Sequence, residues 1–167
     1  NKEFWDEVCA NEMNYRSTTI PFLVNLVGSH DVKRILTALG GNRSMLFPVF
    51  GVLITYIGIP LIYYGDEVGM EGGEDPDNRR TMKWNAQNQD TKLLEFIRSL
   101  GILRKNTNSI KNGSVKLLRN LPDRVVGFER IISHSVPFSD ICSAGPEDRI
   151  ILANFSDKSI TADLTFN

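Results

Sequence analysis

Two apolar runs in this chain end in acids. FLVNLVGSHDVKRIL (residues 22–36) passes from six mostly apolar residues through Gly28-Ser29 to His30 and Asp31. IPLIYYGDEVG (59–69) passes from a similar run through Gly65 to Asp66 and Glu67. A third polar cluster, GGEDPDNRR (72–80), places Asp75 and Arg79 four residues apart on a glycine-rich loop. Carboxylates accept hydrogen bonds and a guanidinium donates them, so an acid and an arginine at this spacing suit a hydroxyl-rich ligand such as a sugar. Each cluster also has a plain structural reading. Asp31 stands where a helix N-cap would, with His30 in the turn before it. Asp66 and Glu67 could be loop acids satisfied by backbone amides. The third cluster could be a solvated turn holding an internal ion pair.

The elements that must position these residues follow from hydrophobic pattern. Residues 3–14 read as a helix. PFLVNLV (21–27) reads as a strand buried on both faces, typical of a parallel sheet covered by helices. A short helix is expected at 32–39, a turn at Gly40-Gly41-Asn42, an apolar helix at about 43–57 and a second buried strand at 60–65. Strand, helix, strand with a long connection is a βαβ crossover, and loops at the C-terminal ends of such strands line the site. After the polar loop, DTKLLEFIRSLGILRKN (90–106) has apolar residues at three- and four-residue spacing and reads as an amphipathic helix. From about Ser109 the pattern changes to short β runs, VKLLRN, RVVGFERIIS, RIILANFS and ITADLTFN, separated by turn signals. The expected division is therefore an α/β unit over 1–107 and an antiparallel β module over 108–167.

Bulk properties exclude several classes. Nineteen basic and 20 acidic residues leave a net charge of -1 in 167 residues, which points to no nucleic-acid or anionic-membrane partner. MLFPVFGVLITYIGIPLIYY (45–64) is twenty residues without a charge, but Pro48, Gly51, Gly58 and Pro60 favour a buried helix followed by a buried strand over a membrane span. Cys9 and Cys142 lack metal-ligand or disulfide-framework spacing, and His134, in SHSVPFSD, reads as a surface residue. The acidic loop could be taken for a calcium site, but it lacks the alternating acid pattern and carries Arg79-Arg80 beside its acids. The chain opens NKEFWDEVCANEM, with Asn1 in place of an initial methionine and without a leader, and reads as a piece of a longer protein.

NLVGSHDVKR, GIPLIYYGDEVGMEGGEDPDNRRTMKW, the amphipathic helix and the β module, in that order, resemble the C-terminal part of the alpha-amylase family of glycoside hydrolases. Within that family the resemblance is to the neopullulanase, cyclomaltodextrinase and maltogenic amylase group, over roughly residues 15–133. It implies the last two βα units of a (β/α)8 TIM barrel followed by a partial antiparallel β-sandwich C-domain. It also implies roles. Asp31 matches the carboxylate that holds the sugar at the cleavage point and stabilises the transition state, and His30 matches its histidine neighbour. Asp75 and Arg79 match residues contacting the next sugar. Arg34, Asp66 and Glu67 match positions with architectural roles.

The same resemblance implies an alpha-glucan or maltooligosaccharide substrate, no cofactor, and calcium in many relatives without a complete site in this stretch. The nucleophile and general acid of a retaining glycosidase match nothing in this sequence, so the remaining barrel segment of the parent chain would have to supply them. Two rivals fit less well: a non-catalytic glucan-binding or transporter-associated relative, and an alpha-1,6-glucosidase or glucosyl transferase.

Overall fold

The computed structural model describes residues 2–132, 147–162 and 164; His134 and Cys142 lie outside them. Helix α1 (Lys2–Glu12) is followed by a 3-10 turn at Ile20–Phe22 and strand β1 (Val24–Leu26). Helices α2 (Ile35–Ala38) and α3 (Leu46–Thr55) then lead to strand β2 (Ile59–Leu61). β1 and β2 are parallel, with Val24 opposite Ile59 and Leu26 opposite Leu61, so residues 24–61 form the expected βαβ crossover. Both strands are shorter than their apolar runs. Pro21 lies inside the 3-10 turn at Ile20–Phe22, and Gly65, at φ 88, precedes another at Asp66–Val68. A positive φ suits glycine, so the chain leaves the strand direction there.

Helix α4 (Thr91–Asn106) packs on α3. Its N-cap is Asp90, whose carboxylate accepts from the Leu93 N–H at 3.0 Å, satisfying one orphan donor of the first turn. The core between these layers holds Leu36, Leu46, Phe50, Leu53, Ile54, Leu93 and Ile97, with Val27 and Ile62 packed against it. α3 has only ten residues, and among the described residues no helix is long and apolar enough to cross a membrane.

The expectation that the strands are buried on both faces is not met. Val24, Leu26, Ile59 and Leu61 are each between 42% and 50% exposed. Side chains alternate along a strand. Val27 and Ile62 face the helices, so these four share the opposite face, which is left half-exposed. That face is an apolar strip along the paired strands.

Beyond α4 comes a short helix, α5 (Asn108–Asn112), where β grammar was expected. Ile110 anchors it, fully buried, and Gly113 ends it. A Cβ on Gly113 would lie 2.4 Å from Ser109 O and 2.7 Å from Ile131 O, so the Asn-Gly signal marks a close backbone approach, not a hairpin. Strands β3 (Ser114–Leu117), β4 (Val125–Ile131) and β5 (Arg149–Asn154) form an antiparallel sheet in that order. In the fourth expected run, 160–167, the described residues 160–162 and 164 form no strand.

Aromatic packing ties this sheet to the α/β layers. Trp5, Tyr56 and Phe128 meet with ring centroids 5.3 to 5.9 Å apart. Arg130 crosses the same boundary, fully buried, donating to Thr55 O at 3.2 Å and Gly113 O at 2.7 Å. Burial pushes its pKa down to about 10.

Arg104 of α4 performs the matching task at the end of α3, donating to Ile54 O at 2.7 Å, Tyr56 O at 2.9 Å and Gly58 O. These are orphan carbonyls of a helix terminus and the turn that feeds β2. A lysine cannot reproduce this fork. Arg104→Lys in the full-length protein is expected to cost about 1–3 kcal/mol in denaturant unfolding; an unchanged midpoint would show that the fork does not fix the α3–β2 turn.

Candidate functional site

The site is assembled from two segments, 28–37 after β1 and 63–80 after β2. Asp31 is not a helix cap. α2 begins at Ile35 with Arg34 as its N-cap residue, so Asp31 precedes the cap by three positions. Its carboxylate instead meets the His30 imidazole, Asp31 Oδ1 to His30 Nε2 at 3.1 Å, with both side chains largely exposed (76% and 66%). The backbone N–H of Asp31 donates to Ser29 Oγ at 3.1 Å, closing a tight turn just beyond the strand.

Behind this exposed pair lies Arg34, which has no exposed surface. Its Nε donates to Asn78 O at 2.8 Å, and its Nη1 donates to Asp66 Oδ1 at 3.1 Å and also to Tyr64 O. The guanidinium carbon lies 4.2 Å from the Tyr63 ring centroid and 4.5 Å from that of Tyr64. A planar, weakly hydrated cation with several donors suits such a desolvated position, where it also gains from the aromatic faces.

Asp66 is almost fully buried. Desolvation pushes its pKa up to about 6 in spite of the hydrogen bond and charge of Arg34. Gly28 is required beside it, since a Cβ there would meet Asp66 Oδ2 at 2.3 Å. Glu67 turns back, and its Oε2 accepts from the Gly65 N–H at 2.7 Å. Arg34 Nη2, Asp66 Oδ2 and Asn78 Oδ1 are buried without a hydrogen-bond partner among the described residues.

The loop 71–80 is fastened to 30–37 at five further points. Arg34 N donates to Gly72 O at 3.0 Å, and Gly72 N donates to Thr37 Oγ1 at 3.0 Å. Lys33 pairs with Glu74 at 3.1 Å. The Asn78 side-chain amide donates to both His30 O, at 2.8 Å, and Val32 O, at 2.9 Å. Gly72 permits this contact, since a Cβ on it would lie 2.7 Å from Asp77 O and 2.8 Å from Asn78 Cα.

On the outer side of the loop, Arg79 donates to Asp75 Oδ1 through Nε, at 2.7 Å, and through Nη2. Arg80 makes a similar pair with Asp77, at 2.7 Å from both Nε and Nη2. The loop does therefore hold internal, half-exposed ion pairs. The Asp75 carboxyl is held below the usual carboxylate range, first by its hydrogen bond from Arg79 and more weakly by the charge of His30. Arg79 is shifted upward, first by Asp75 and in smaller part by Asp31. The four side chains His30, Asp31, Asp75 and Arg79 thus lie within one electrostatic neighbourhood, on the loops beyond the two parallel strands.

Asn78 and Gly72 were not singled out by sequence. An amide between acids and arginines in a Gly-rich loop gives no spacing signal, and its inward direction is set by the 3-10 turn at Asp77–Arg79. Among the described residues no group of three His, Cys, Asp or Glu side chains could hold a metal ion.

Two parallel strands with a connecting crossover define an α/β protein whose strand-end loops gather exposed acids and an arginine. The alpha-amylase catalytic-domain family model matches residues 5–110, and the chain belongs to that family. Over 111 residues it is 43% identical to the maltogenic alpha-amylase of Bacillus acidopullulyticus, covering 66% of this chain and 19% of that protein. Neopullulanase 2 of Thermoactinomyces vulgaris is 41% identical over 115 residues, 69% of this chain and 20% of that one. The crystal structure of maltogenic amylase from S. marinus superposes with a TM-score of 0.70 at 37% identity, over 84% of this chain and 18% of that chain. The chain spans about a fifth of the length of these curated relatives. Its fold is that of the alpha-amylase catalytic domain, of the TIM-barrel class.

The raised pKa of Asp66 has a consequence for stability. The folded protein holds this proton more tightly than the unfolded chain does. The resulting stabilisation is complete below the ordinary Asp value of 3.8 and is lost as pH rises through about 6. Relative to Asp66→Asn, the full-length protein should lose on the order of 2–3 kcal/mol between pH 4 and 7. Denaturant unfolding of both forms across that range measures the difference, and a pH-independent difference would contradict the assignment.

Proposed function

We propose that this chain is the C-terminal segment of an alpha-glucan-cleaving glycoside hydrolase, contributing the last two βα units of its barrel (1–107) and part of a β-sandwich C-domain (108–167). The observation that carries this reading is the juxtaposition of the His30–Asp31 pair with the Asp75–Arg79 pair on loops beyond two adjacent parallel strands. Neither pair is tied up in the fold's own helix caps. The substrate class is an alpha-glucan or maltooligosaccharide, in keeping with the names of the relatives.

In this reading Asp31 is the transition-state stabiliser. As a retaining glycosidase passes through an oxocarbenium-like state, the sugar ring distorts and hydrogen bonds to its hydroxyls strengthen. An ionised carboxylate accepting from two neighbouring hydroxyls gains more in that state than in the ground state, and this difference lowers the barrier. His30 donates to the same ring. Asp75 and Arg79 offer an acceptor and a donor to the adjacent glucosyl unit, and the shared neighbourhood of the four side chains suits two consecutive sugars.

The nucleophile and general acid come from the remaining barrel segment of the parent chain, so the 167-residue piece alone hydrolyses nothing. The same segment would supply strands against the half-exposed strip of Val24, Leu26, Ile59 and Leu61. An exposed apolar strip of this kind is unfavourable in water and calls for a covering surface.

In the full-length protein, Asp31→Asn is expected to lower kcat on maltotriose by about 100-fold or more while leaving the unfolding midpoint unchanged. Near-normal turnover would remove Asp31 from the mechanism. Asp75→Ala should lower kcat/KM on maltotriose more than on a long amylose chain, because a substrate engaging many subsites depends less on any one. Equal losses on both substrates would count against contact with the second sugar.

A further inference from the structure

Of the two pairs placed at the sugar, the one at residues 30–31 has little holding it from its own segment. Its side chains are exposed, its first turn rests on Ser29, and α2 starts only at Ile35. Its carbonyls are held from the other loop. Asn78, with no exposed surface, donates one side-chain N–H to His30 O and the other to Val32 O, at 2.8 and 2.9 Å. These are the carbonyls on either side of Asp31.

Resting on the functional reading above, we infer that Asn78 is a positioning residue for the reaction, acting through Asp31. The chemistry fixes the direction of its amide. Two carbonyl oxygens face one side of it and can be met only by the NH2 group, because an oxygen turned that way would repel both. Two bonds from one planar group bracket three consecutive residues and set the azimuth of the central side chain more tightly than a single bond could.

The backbone of Asn78 is held as well, since its carbonyl accepts from Arg34 Nε at 2.8 Å. Its neighbour Arg79 points outward to Asp75. One short turn, Asp77–Arg79, therefore presents Arg79, bonded to Asp75, on one side and clamps the first-sugar pair on the other. The spacing between the two pairs is thereby set within a single rigid unit, so that consecutive glucosyl units meet both at once.

The test is a double-mutant cycle in the full-length protein with maltotriose as substrate. Asn78→Asp replaces the donating NH2 with an acceptor at nearly constant volume. Asn78→Ala removes the clamp more gently and decides the question if the aspartate variant does not fold. Each is assayed alone and combined with Asp31→Asn, with kcat corrected for the folded fraction. Displacement of a reacting group by about 1 Å costs on the order of 100-fold, so either single variant is expected to lose about 10- to 100-fold in kcat with KM changed by less than about 3-fold. In the Asp31→Asn background the same change should cost less than about 2-fold, because residues acting through one another are not additive.

An unchanged kcat, or an equal loss in both backgrounds, overturns the inference, the latter showing that Asn78 serves the fold alone. A slow Asp31→Asn with fast Asn78 variants removes only the role of Asn78. A fast Asp31→Asn instead removes the functional reading on which it rests.

Discussion

A desolvated guanidinium organises this part of the molecule. Arg34 sits between the ends of both parallel strands and the polar loop beyond them, bonded to Asp66, Tyr64 O and Asn78 O and packed against the rings of Tyr63 and Tyr64. Taking such a charge out of water is costly, and these bonds and ring contacts offset part of that cost while Nη2 finds no hydrogen-bond partner among the described residues. The partners come from two stretches other than its own, residues 63–66 and Asn78, so holding the cation brings three stretches together. The 3-10 turn after β2, the loop 71–80 and the segment 30–37 are then arranged by one electrostatic requirement. Asp66 illustrates the cost. Burial raises its pKa even though a cation lies 3.1 Å away.

This arrangement separates support from contact. The buried residues Arg34, Asp66 and Asn78 hold backbone and one another. The exposed residues His30, Asp31, Asp75 and Arg79 are left with polar atoms available on the outer surface of the same unit. Sites built in this way keep their reacting groups in fixed directions, because the supporting shell is locked by packing and hydrogen bonds. Asp75 and Arg79 are bonded to each other across the loop, and a sugar hydroxyl pair would exchange with or extend that bond.

Much of the architecture was legible in the sequence. The two apolar runs, their glycine ends and the periodic 90–106 segment gave the crossover and helix α4, because hydrophobic period reports which faces are buried. What the pattern could not report was covering. Val24, Leu26, Ile59 and Leu61 read as buried because they are apolar, yet their burial depends on a surface supplied by other residues. Helix α5 was missed because Asn112-Gly113 carries a turn signal whose real cause is the close approach of Ile131 O. At the site, the exposed acids and Arg79 stood out by type and spacing. Arg34 was placed as structural by resemblance. Asn78 was invisible, since its role lies in two bonds to carbonyls nearly fifty residues away in sequence.

The central claim is that the two exposed pairs form adjoining subsites for consecutive glucosyl units. A crystal structure of the complete protein with a bound maltooligosaccharide tests it most directly. The account predicts one sugar ring with neighbouring hydroxyls on His30 and Asp31, and the next ring within hydrogen-bond distance of Asp75 and Arg79. A ligand seated elsewhere in the protein, with these four side chains turned to solvent, would contradict it.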